Sequence, residues 1–336
     1  MARKPGKTAK SGQGVMGVSS KRRADRTARA SSSPAAVFAR HETFAPRYGW
    51  LTKGFQAATD NPSIFHDDEA PLKLGVGKNM ARAIRYWCHA FKVLEPADST
   101  RRPGSAPTKL GRALLDLRGW DPFLEDLASL WLLHWSLISQ PCQATAWEFA
   151  FTRFGQTEFT IDQLAGGLQA YVTQTFPSSR ISPSSLRKDI NCVVRMYAET
   201  PASHAIDEET LACPFVELGL IHKSQTARTY FFDMGAKESL PSDLVVAACL
   251  GYAGSVAPEA RTIPVFRLLS GPGSPGMAFK LTESALCAAI EDGASREKNL
   301  GLSYTAGLLQ MTTREDARLL SRSVLEGLFT RRGAAA

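Results

Sequence analysis

Four consecutive polar residues, HDDE at 66–69, have the side chains that hydrolysis of a phosphodiester bond would need. Carboxylate oxygens are ligands that Mg²⁺ prefers, and a bound metal ion can activate water and stabilise the charge that develops on a phosphate. The sequence therefore predicts a site for Mg²⁺ or another divalent cation at Asp67, Asp68 and Glu69. Carboxylates at the start of a helix also favour its dipole, so a purely structural role stays open.

A second candidate for chemistry is the adjacent pair His41 and Glu42. A histidine that is oriented by a carboxylate is a general base, which makes these two residues the candidate catalytic groups. Neighbouring side chains point in different directions on regular structure, so the pair is also compatible with no shared role. The sequence contains no recognisable serine–histidine–aspartate arrangement and no cluster with zinc-ligand spacing.

The clearest binding element is a basic helix that begins near Asn79 and is predicted over residues 78–94. Apolar residues recur along it at helical spacing, and basic residues recur on the opposite side. Such a helix can enter the major groove of DNA, where its side chains contact base edges and phosphates. The predicted DNA-binding residues are Lys78, Asn79, Arg82, Arg85, His89 and Lys92, with Arg82, Arg85 and His89 towards the bases and Lys78 and Lys92 towards phosphates.

The elements around this helix have the order of a winged helix-turn-helix. A helix is predicted over 46–59, a short helix over 67–74, and a glycine turn at 75–77 precedes the basic helix. A loop rich in Pro, Gly and Ser follows at 96–107, and its Arg101 and Arg102 are predicted to hold the DNA backbone. A second basic helix is predicted to start at Ser182-Pro183, with Arg187, Lys188 and Arg195 facing outward to DNA.

The turn LGVGKN at 74–79 matches a phosphate-binding loop only in part. A Walker A motif needs a glycine where Leu72 stands and a hydroxyl residue where Asn79 stands. No nucleotide cofactor is therefore predicted. What remains is a glycine turn that exposes backbone N–H groups at a helix N-terminus, which suits a DNA phosphate.

The pattern of elements predicts a mainly α protein with short β-hairpins. Its 336 residues suggest several domains. These are a disordered basic tail over 1–36, a winged-helix DNA-binding domain over 37–118, a helical domain over 119–225 and a C-terminal α+β domain over 226–330. A second winged helix is one interpretation of the C-terminal domain.

The formal net charge of +8 belongs to the tail. Residues 1–36 contain nine Lys and Arg residues against Asp25 alone, so residues 37–336 are neutral overall. DNA binding by the body must therefore come from local patches, and the tail would either add sequence-independent affinity for phosphates or only aid solubility. Six widely spaced cysteines and the lack of a bilayer-spanning apolar segment predict a soluble, cytoplasmic protein with reduced thiols.

Four long strings resemble sequences of one bacterial family that is catalogued as a domain of unknown function. They are HETFAPRYGWLTKGF (41–55), LGVGKNMARAIRYW (74–87), DPFLEDLASLWLLHW (121–135) and CPFVELGL (213–220). Members of this family are encoded in DNA phosphorothioation operons and include the B components of the Ssp-type single-strand system. The resemblance covers roughly residues 38–330 and leaves the tail outside.

The resemblance implies a role in replacing a non-bridging phosphate oxygen of DNA by sulphur, in a system that marks host DNA and supports defence against phage. The B component is held to be a nickase that gives the sulphur-inserting enzymes access to the backbone. The resemblance transfers no catalytic residues, because the family has no defined catalytic motif.

The expectation is thus a sequence-directed nickase of double-stranded DNA that works with a sulphur-insertion enzyme and an ATPase. Two alternatives stay open. The first is a non-catalytic DNA-recognition or transcription-regulating subunit that recruits the modification enzymes. The second is a scaffold whose basic helix binds a partner protein. No membrane partner is expected.

Overall fold

A computed structural model describes residues 36–97, 103–198, 213–225, 228–305 and 307–334. The predicted basic tail lies outside these ranges except for Ala36, and so do Arg101 and Arg102. Within the described ranges the chain forms thirteen α-helices and eight short strands, which confirms the predicted mainly α fold with short β-hairpins. Among these helices, none is both long enough and apolar enough to cross a membrane.

The N-terminal elements follow the predicted order. Helix α1 (Trp50–Asp60) leads through a 3₁₀ turn at Ile64–His66 to helix α2 (Ala70–Leu74) and then to helix α3 (Lys78–Ala90). Gly75 ends α2 with a φ of 63°, a left-handed conformation that glycine adopts at little cost. The predicted basic helix thus begins where expected, but it ends four residues earlier.

A β-hairpin and a further helix follow α3. Strand β1 (Leu94–Pro96) pairs antiparallel with strand β2 (Ser105–Pro107). The backbone N–H of Ser105 also donates to the carbonyl of Pro62, at 2.8 Å, and so ties the hairpin to the segment after α1. Helix α4 (Lys109–Leu115) starts at Thr108, whose side chain accepts a hydrogen bond from the N–H of Gly111.

The middle of the chain contains helices α5 (Leu127–Ile138), α6 (Thr145–Thr152), α7 (Ile161–Thr175) and α8 (Pro183–Tyr197). Ser182 caps α8 as its Ser-Pro start predicted. A turn precedes helix α5, and in it the Asp121 carboxylate accepts the N–H groups of Glu125 and Asp126. The side chain of Asp126 caps the helix.

Three short strands form a small antiparallel sheet beside these helices. They are β3 (Glu158–Phe159), β4 (Ile221–Lys223) and β5 (Tyr230–Phe232), and β5 lies in the centre. A 3₁₀ segment at Pro214–Leu218 leads into β4. It packs against α8 and α5, so the small sheet is attached to the helical core.

The C-terminal part begins with helix α9 (Ser242–Val256), strand β6 (Thr262–Pro264) and helices α10 (Val265–Ser270), α11 (Pro275–Ala278) and α12 (Glu283–Arg296). Strands β7 (Leu300–Thr305) and β8 (Leu308–Thr313) then form a hairpin, and helix α13 (Ala317–Gly333) follows. The sheet order is β6-β8-β7, all antiparallel. A turn follows α11, and Lys280 has a left-handed φ of 56° there.

Buried apolar side chains from α1 to α13 form one continuous core. Helices α5 and α9 are buried on nearly all sides, as their uniformly apolar sequences require. His134 lies in α5, where its ring nitrogens contact the Tyr197 hydroxyl and the Ala278 carbonyl at 2.8 and 3.0 Å. Because this core is shared, it does not mark where a domain ends, and the boundaries after 118 and 225 stay predictions.

Candidate nucleic-acid interface

One face of α3 lines an open cleft with a volume of about 1090 Å³. Residues from the segment before α1 and from the region between α1 and α2 line the same cleft. We call it the basic cleft, because four cationic side chains line it: Arg40, Lys78, Arg82 and Arg85. Three carboxylates also line it: Glu42, Asp67 and Asp68. The structure thus brings together residues that the sequence assigned to three separate roles.

The amphipathic pattern of α3 decides which of its side chains reach the cleft. Ile84, Trp87 and Cys88 are fully buried in the core. Lys78, Asn79 and Arg82 are exposed on the opposite face, and Arg85 is half-buried there. Among the described residues no side chain forms a hydrogen bond or an ion pair with Lys78 or Arg85, and Arg82 has a single ion pair, to Glu42 at 3.6 Å. These cations are available to an anionic ligand.

His89, which the sequence predicted to face the bases, lines the basic cleft but is half-buried and has a partner inside the protein. Its Nε2 lies 2.8 Å from the Oγ of Ser105, a fully buried residue of β2. Burial, and next the nearby charge of Arg85, lower the pKa of His89 to about 4. The imidazole is therefore neutral near pH 7, and it connects α3 to the hairpin.

Lys92, another predicted DNA-binding residue, does not lie on the cationic face of α3. It follows the end of α3 with a φ of 59°, so it does not continue the basic face of the helix. Its ammonium group donates hydrogen bonds to the carbonyl and the hydroxyl of Ser139, at 2.7 and 2.9 Å. Burial lowers the pKa of Lys92 to about 8. This lysine joins the end of α3 to the end of α5.

His41 lies in the core and faces Asp189 of α8, a partner that the sequence interpretation missed. The side chain of His41 is 1% exposed, and its Nε2 is 2.8 Å from an Asp189 carboxylate oxygen. The same carboxylate accepts the N–H of Ala39 at 2.9 Å. Among the described residues Nδ1 of His41 has no hydrogen-bond partner, and the ring stacks on Trp87.

The burial of His41 corrects the prediction of a general base, because a ring with no exposed surface cannot reach a DNA substrate. It also shows that Asp189, rather than Glu42, orients the imidazole. One sequence signal could have found Asp189. It is an acidic residue on the apolar side of α8, between Leu186 and Ile190, and a buried carboxylate needs a partner.

The segment that holds His41 has an unusual backbone. Ala39, Glu42 and Thr43 have φ values of 53°, 50° and 70°, in the left-handed region. Each such residue costs about 1–3 kcal/mol and persists only when its surroundings hold it. Besides the Asp189 contacts, Arg195 donates to the carbonyl of Thr43 at 2.5 Å, and the Trp87 indole donates to that of Phe44 at 3.0 Å.

Glu42 is the acidic side chain that this segment places beside α3. The Glu42–Arg82 ion pair is partly exposed, and a pair of this kind contributes about 0–1 kcal/mol. That is less than the cost of the left-handed backbone, so the ion pair does not explain why the segment has this conformation. The buried contacts of Asp189 and Trp87 hold it, and Glu42 is positioned as a result.

The acidic run at 66–69 does not have the arrangement of a metal site. Asp67 contacts the ammonium group of Lys73 at 2.6 Å, and Glu69 contacts it at 3.3 Å. The Lys73 hydrogen bond, and next the N–H of Glu69, lower the pKa of Asp67. Within the described ranges, no group of three His, Cys, Asp or Glu side chains could hold a metal ion. Asp67 and Glu69 are instead paired with Lys73 of α2.

The second predicted DNA-binding helix, α8, has fewer available cations. Arg187 forms an ion pair with Asp162, and Arg195 is bound to Thr43 as described above. Lys188 is exposed. Two of the three predicted residues on α8 therefore have partners within the protein, in contrast to the face of α3.

Residues 38–329 match a family model described as a protein of unknown function (DUF4007), and the chain belongs to this family. The fold is also similar to two solved structures. One is a magnesium ion-bound SspB crystal structure, with a TM-score of 0.83, and the other is an SspB crystal structure, with a TM-score of 0.82. Each is 38% identical in sequence and covers 88% of either chain. No curated protein matches. These findings confirm the resemblance inferred from the sequence.

Proposed function

We propose that this protein is the DNA-binding component of a phosphorothioate modification system and that α3 contacts double-stranded DNA. The similarity to SspB supports a place in such a system. One observation carries the DNA-binding part, namely the cationic face formed by the exposed Lys78 and Arg82 and the half-buried Arg85, in a chain whose residues 37–336 have no net charge.

In this proposal α3 enters the major groove as the recognition helix of a winged helix-turn-helix. Arg82 and Arg85 contact base edges, where an arginine pairs best with the O6 and N7 atoms of guanine. Lys78 and the free N–H groups at the start of α3 contact a phosphate. The β1–β2 hairpin lies beside the DNA backbone.

The test is a double substitution, Arg82→Ala with Arg85→Ala, in a titration of duplex DNA at several salt concentrations. Each lost phosphate or base contact from a cation weakens binding, and the slope of log affinity against log salt should flatten by roughly 1 to 2 units. Arg314→Ala with Arg322→Ala is the matched control, because it removes two exposed arginines of the C-terminal part. Equal effects of the two pairs would refute the role of α3.

Strand nicking is the second part of the proposal, and it is supported by the family resemblance. Magnesium is bound by one of the similar structures, but the described carboxylates of this chain do not form a metal site. We therefore assign no catalytic step to a metal here. In this proposal the basic cleft holds the DNA strand through its arginines.

A supercoiled-plasmid assay with and without Mg²⁺ separates a nickase from a recruiting subunit. A nickase should form open-circle product that the Arg82→Ala, Arg85→Ala variant does not form. If the wild-type protein binds the plasmid but yields no open circles beyond a vector-only preparation, the non-catalytic DNA-recognition subunit is the correct assignment. The assay should be repeated with the partner enzymes of the modification system.

A further inference from the structure

Glu42 is one of three carboxylates that line the basic cleft, and it lies beside the cationic face of α3. Its carboxylate lies 3.6 Å from the guanidinium of Arg82 and lines the same cleft as Arg40 and Arg85. A carboxylate at this position repels DNA phosphates, so it lowers the affinity of the surface for every sequence. If Glu42 only weakened DNA binding, its position in the basic cleft would have no role in recognition.

The backbone holds Glu42 firmly. Glu42 and Thr43 are left-handed, and the flanking groups are fixed by the buried Asp189 on one side and by Arg195 on the other. A backbone that is fixed before the ligand arrives suits selective recognition, because little conformational freedom is lost on binding. The segment therefore presents the Glu42 carboxylate beside Arg82 from a fixed backbone.

The chemistry of a carboxylate restricts what it can recognise in DNA. It accepts hydrogen bonds and donates none when ionised. In the major groove the donors are the exocyclic amino groups of cytosine and adenine, whereas guanine and thymine present acceptors to that groove. A fixed carboxylate thus favours a cytosine or an adenine and disfavours the other two bases.

We propose that Glu42 is a specificity-determining residue that accepts a hydrogen bond from an exocyclic amino group of cytosine or adenine in the major groove. Arg82 contacts the same base pair or its neighbour, because its guanidinium lies beside the Glu42 carboxylate, at 3.6 Å. The inference rests on the proposed function, in which α3 lies in the groove.

The test is selection of binding sites from a random duplex library with the full chain. Three proteins are compared with the wild type: Glu42→Gly, Glu42→Gln and the control Glu158→Gln. Glycine accepts the left-handed backbone at position 42 without strain, so this variant keeps the segment folded. Glu158 is an exposed residue of β3 outside the cleft, and its variant removes the same charge.

We expect the wild type and Glu158→Gln to select a cytosine or an adenine at one position. Glu42→Gly should lose the preference at that position alone, and it should bind unselected DNA more tightly. Replacing the selected base by guanine or thymine should weaken wild-type binding by about tenfold and leave Glu42→Gly binding unchanged. The identity of the selected base distinguishes the two amino donors.

Two outcomes would overturn the inference. If Glu42→Gly and Glu42→Gln both raise the affinity for all sequences but select the same site as the wild type, Glu42 acts only by charge repulsion, and the proposed DNA binding by α3 still stands. If the wild-type protein selects no sequence at all, sequence-directed recognition by α3 fails, and this inference fails with it.

Discussion

Helices α3 and α12 each lead into an antiparallel hairpin, yet their exposed faces have opposite charges. The outward side chains of α3 include Lys78 and Arg82, whereas those of α12 include Glu283, Glu291 and Asp292. The β7–β8 strands that follow α12 contain no charged residue, whereas the loop between β1 and β2 contains two arginines in the sequence. The order of elements alone therefore does not specify a DNA-binding surface.

The comparison bears on the interpretation of the C-terminal part as a second winged helix, which stays a prediction. The succession of helices and the antiparallel sheet β6-β8-β7 are compatible with it. An acidic helix in front of a groove would be repelled by phosphates, so we expect no DNA contact from α12. Charge variants of α12 are therefore suitable controls for charge variants of α3 in measurements of DNA binding.

Inverting the charges on the exposed faces of α3 and α12 is expected to give the largest difference in DNA affinity. Arg82→Glu with Arg85→Glu replaces two attractive groups by repulsive ones, and duplex affinity measured by fluorescence anisotropy should fall by about 100-fold at moderate salt. Glu283→Lys with Glu291→Lys on α12 should change the affinity only a few-fold. A loss or gain of similar size at α12 would mean that DNA also lies against the C-terminal part.

Removing residues 1–35 should have the next largest effect on affinity. The nine Lys and Arg residues of this segment contribute to a salt-dependent attraction that ignores sequence. We expect weaker binding to all duplexes and a flatter salt dependence, with the base preference of the α3 surface retained. A truncated protein that binds random and selected duplexes equally would show that selectivity comes from the tail.

Two lysines whose pKa is lowered by burial, Lys280 and Lys92, allow a comparison by pH. Lys280 is 4% exposed and lies 3.9 Å from the centre of the Phe232 ring, and burial lowers its pKa from 10.5 to about 7. Between these pH values the unfolded chain binds more protons than the folded one, so stability rises with pH. The free energy of unfolding, measured with urea, should therefore rise with pH in the wild type relative to Lys280→Met. The rise should be about 1 kcal/mol per pH unit above pH 7.

Lys92 should show the same behaviour from a higher pH. Burial lowers the pKa of Lys92 to about 8. The free energy of unfolding of the wild type relative to Lys92→Met should therefore begin to rise roughly one pH unit higher than in the Lys280 comparison. Parallel stability curves for wild type and variant across pH 7–10 would show that neither lysine is held in a desolvated environment.

The smallest effect is expected at His89. Its substitution by alanine leaves the buried hydroxyl of Ser105 without its partner, which should lower the free energy of unfolding by about 1 to 2 kcal/mol. Because the pKa of His89 is about 4, the imidazole is neutral throughout pH 6 to 8. Titration of His89 should therefore cause no change of DNA affinity with pH in this range. A pH-dependent affinity that disappears in His89→Ala would contradict this assignment.

Signals that act within a few residues predicted much of the fold. The glycine turn before Lys78 and the Ser-Pro start of α8 placed two helix starts correctly. Asp121-Pro122 also has the pattern of a helix start, but the Asp121 carboxylate accepts N–H groups within a turn instead of capping α5. Local rules state which backbone groups a side chain can cap, but several local structures can use the same side chain.

For the candidate site, the sequence by itself determined that α3 has one basic face and one apolar face, because side-chain direction in a helix follows from spacing alone. It also determined that the body is neutral, so this face is a local feature. Only the tertiary structure decided which polar side chains have partners within the protein. His41 contacts Asp189, which is 148 residues away along the chain, and Lys92 contacts Ser139, which is 47 residues away. Partners so far apart in sequence meet only through packing of the whole core, which no local pattern encodes.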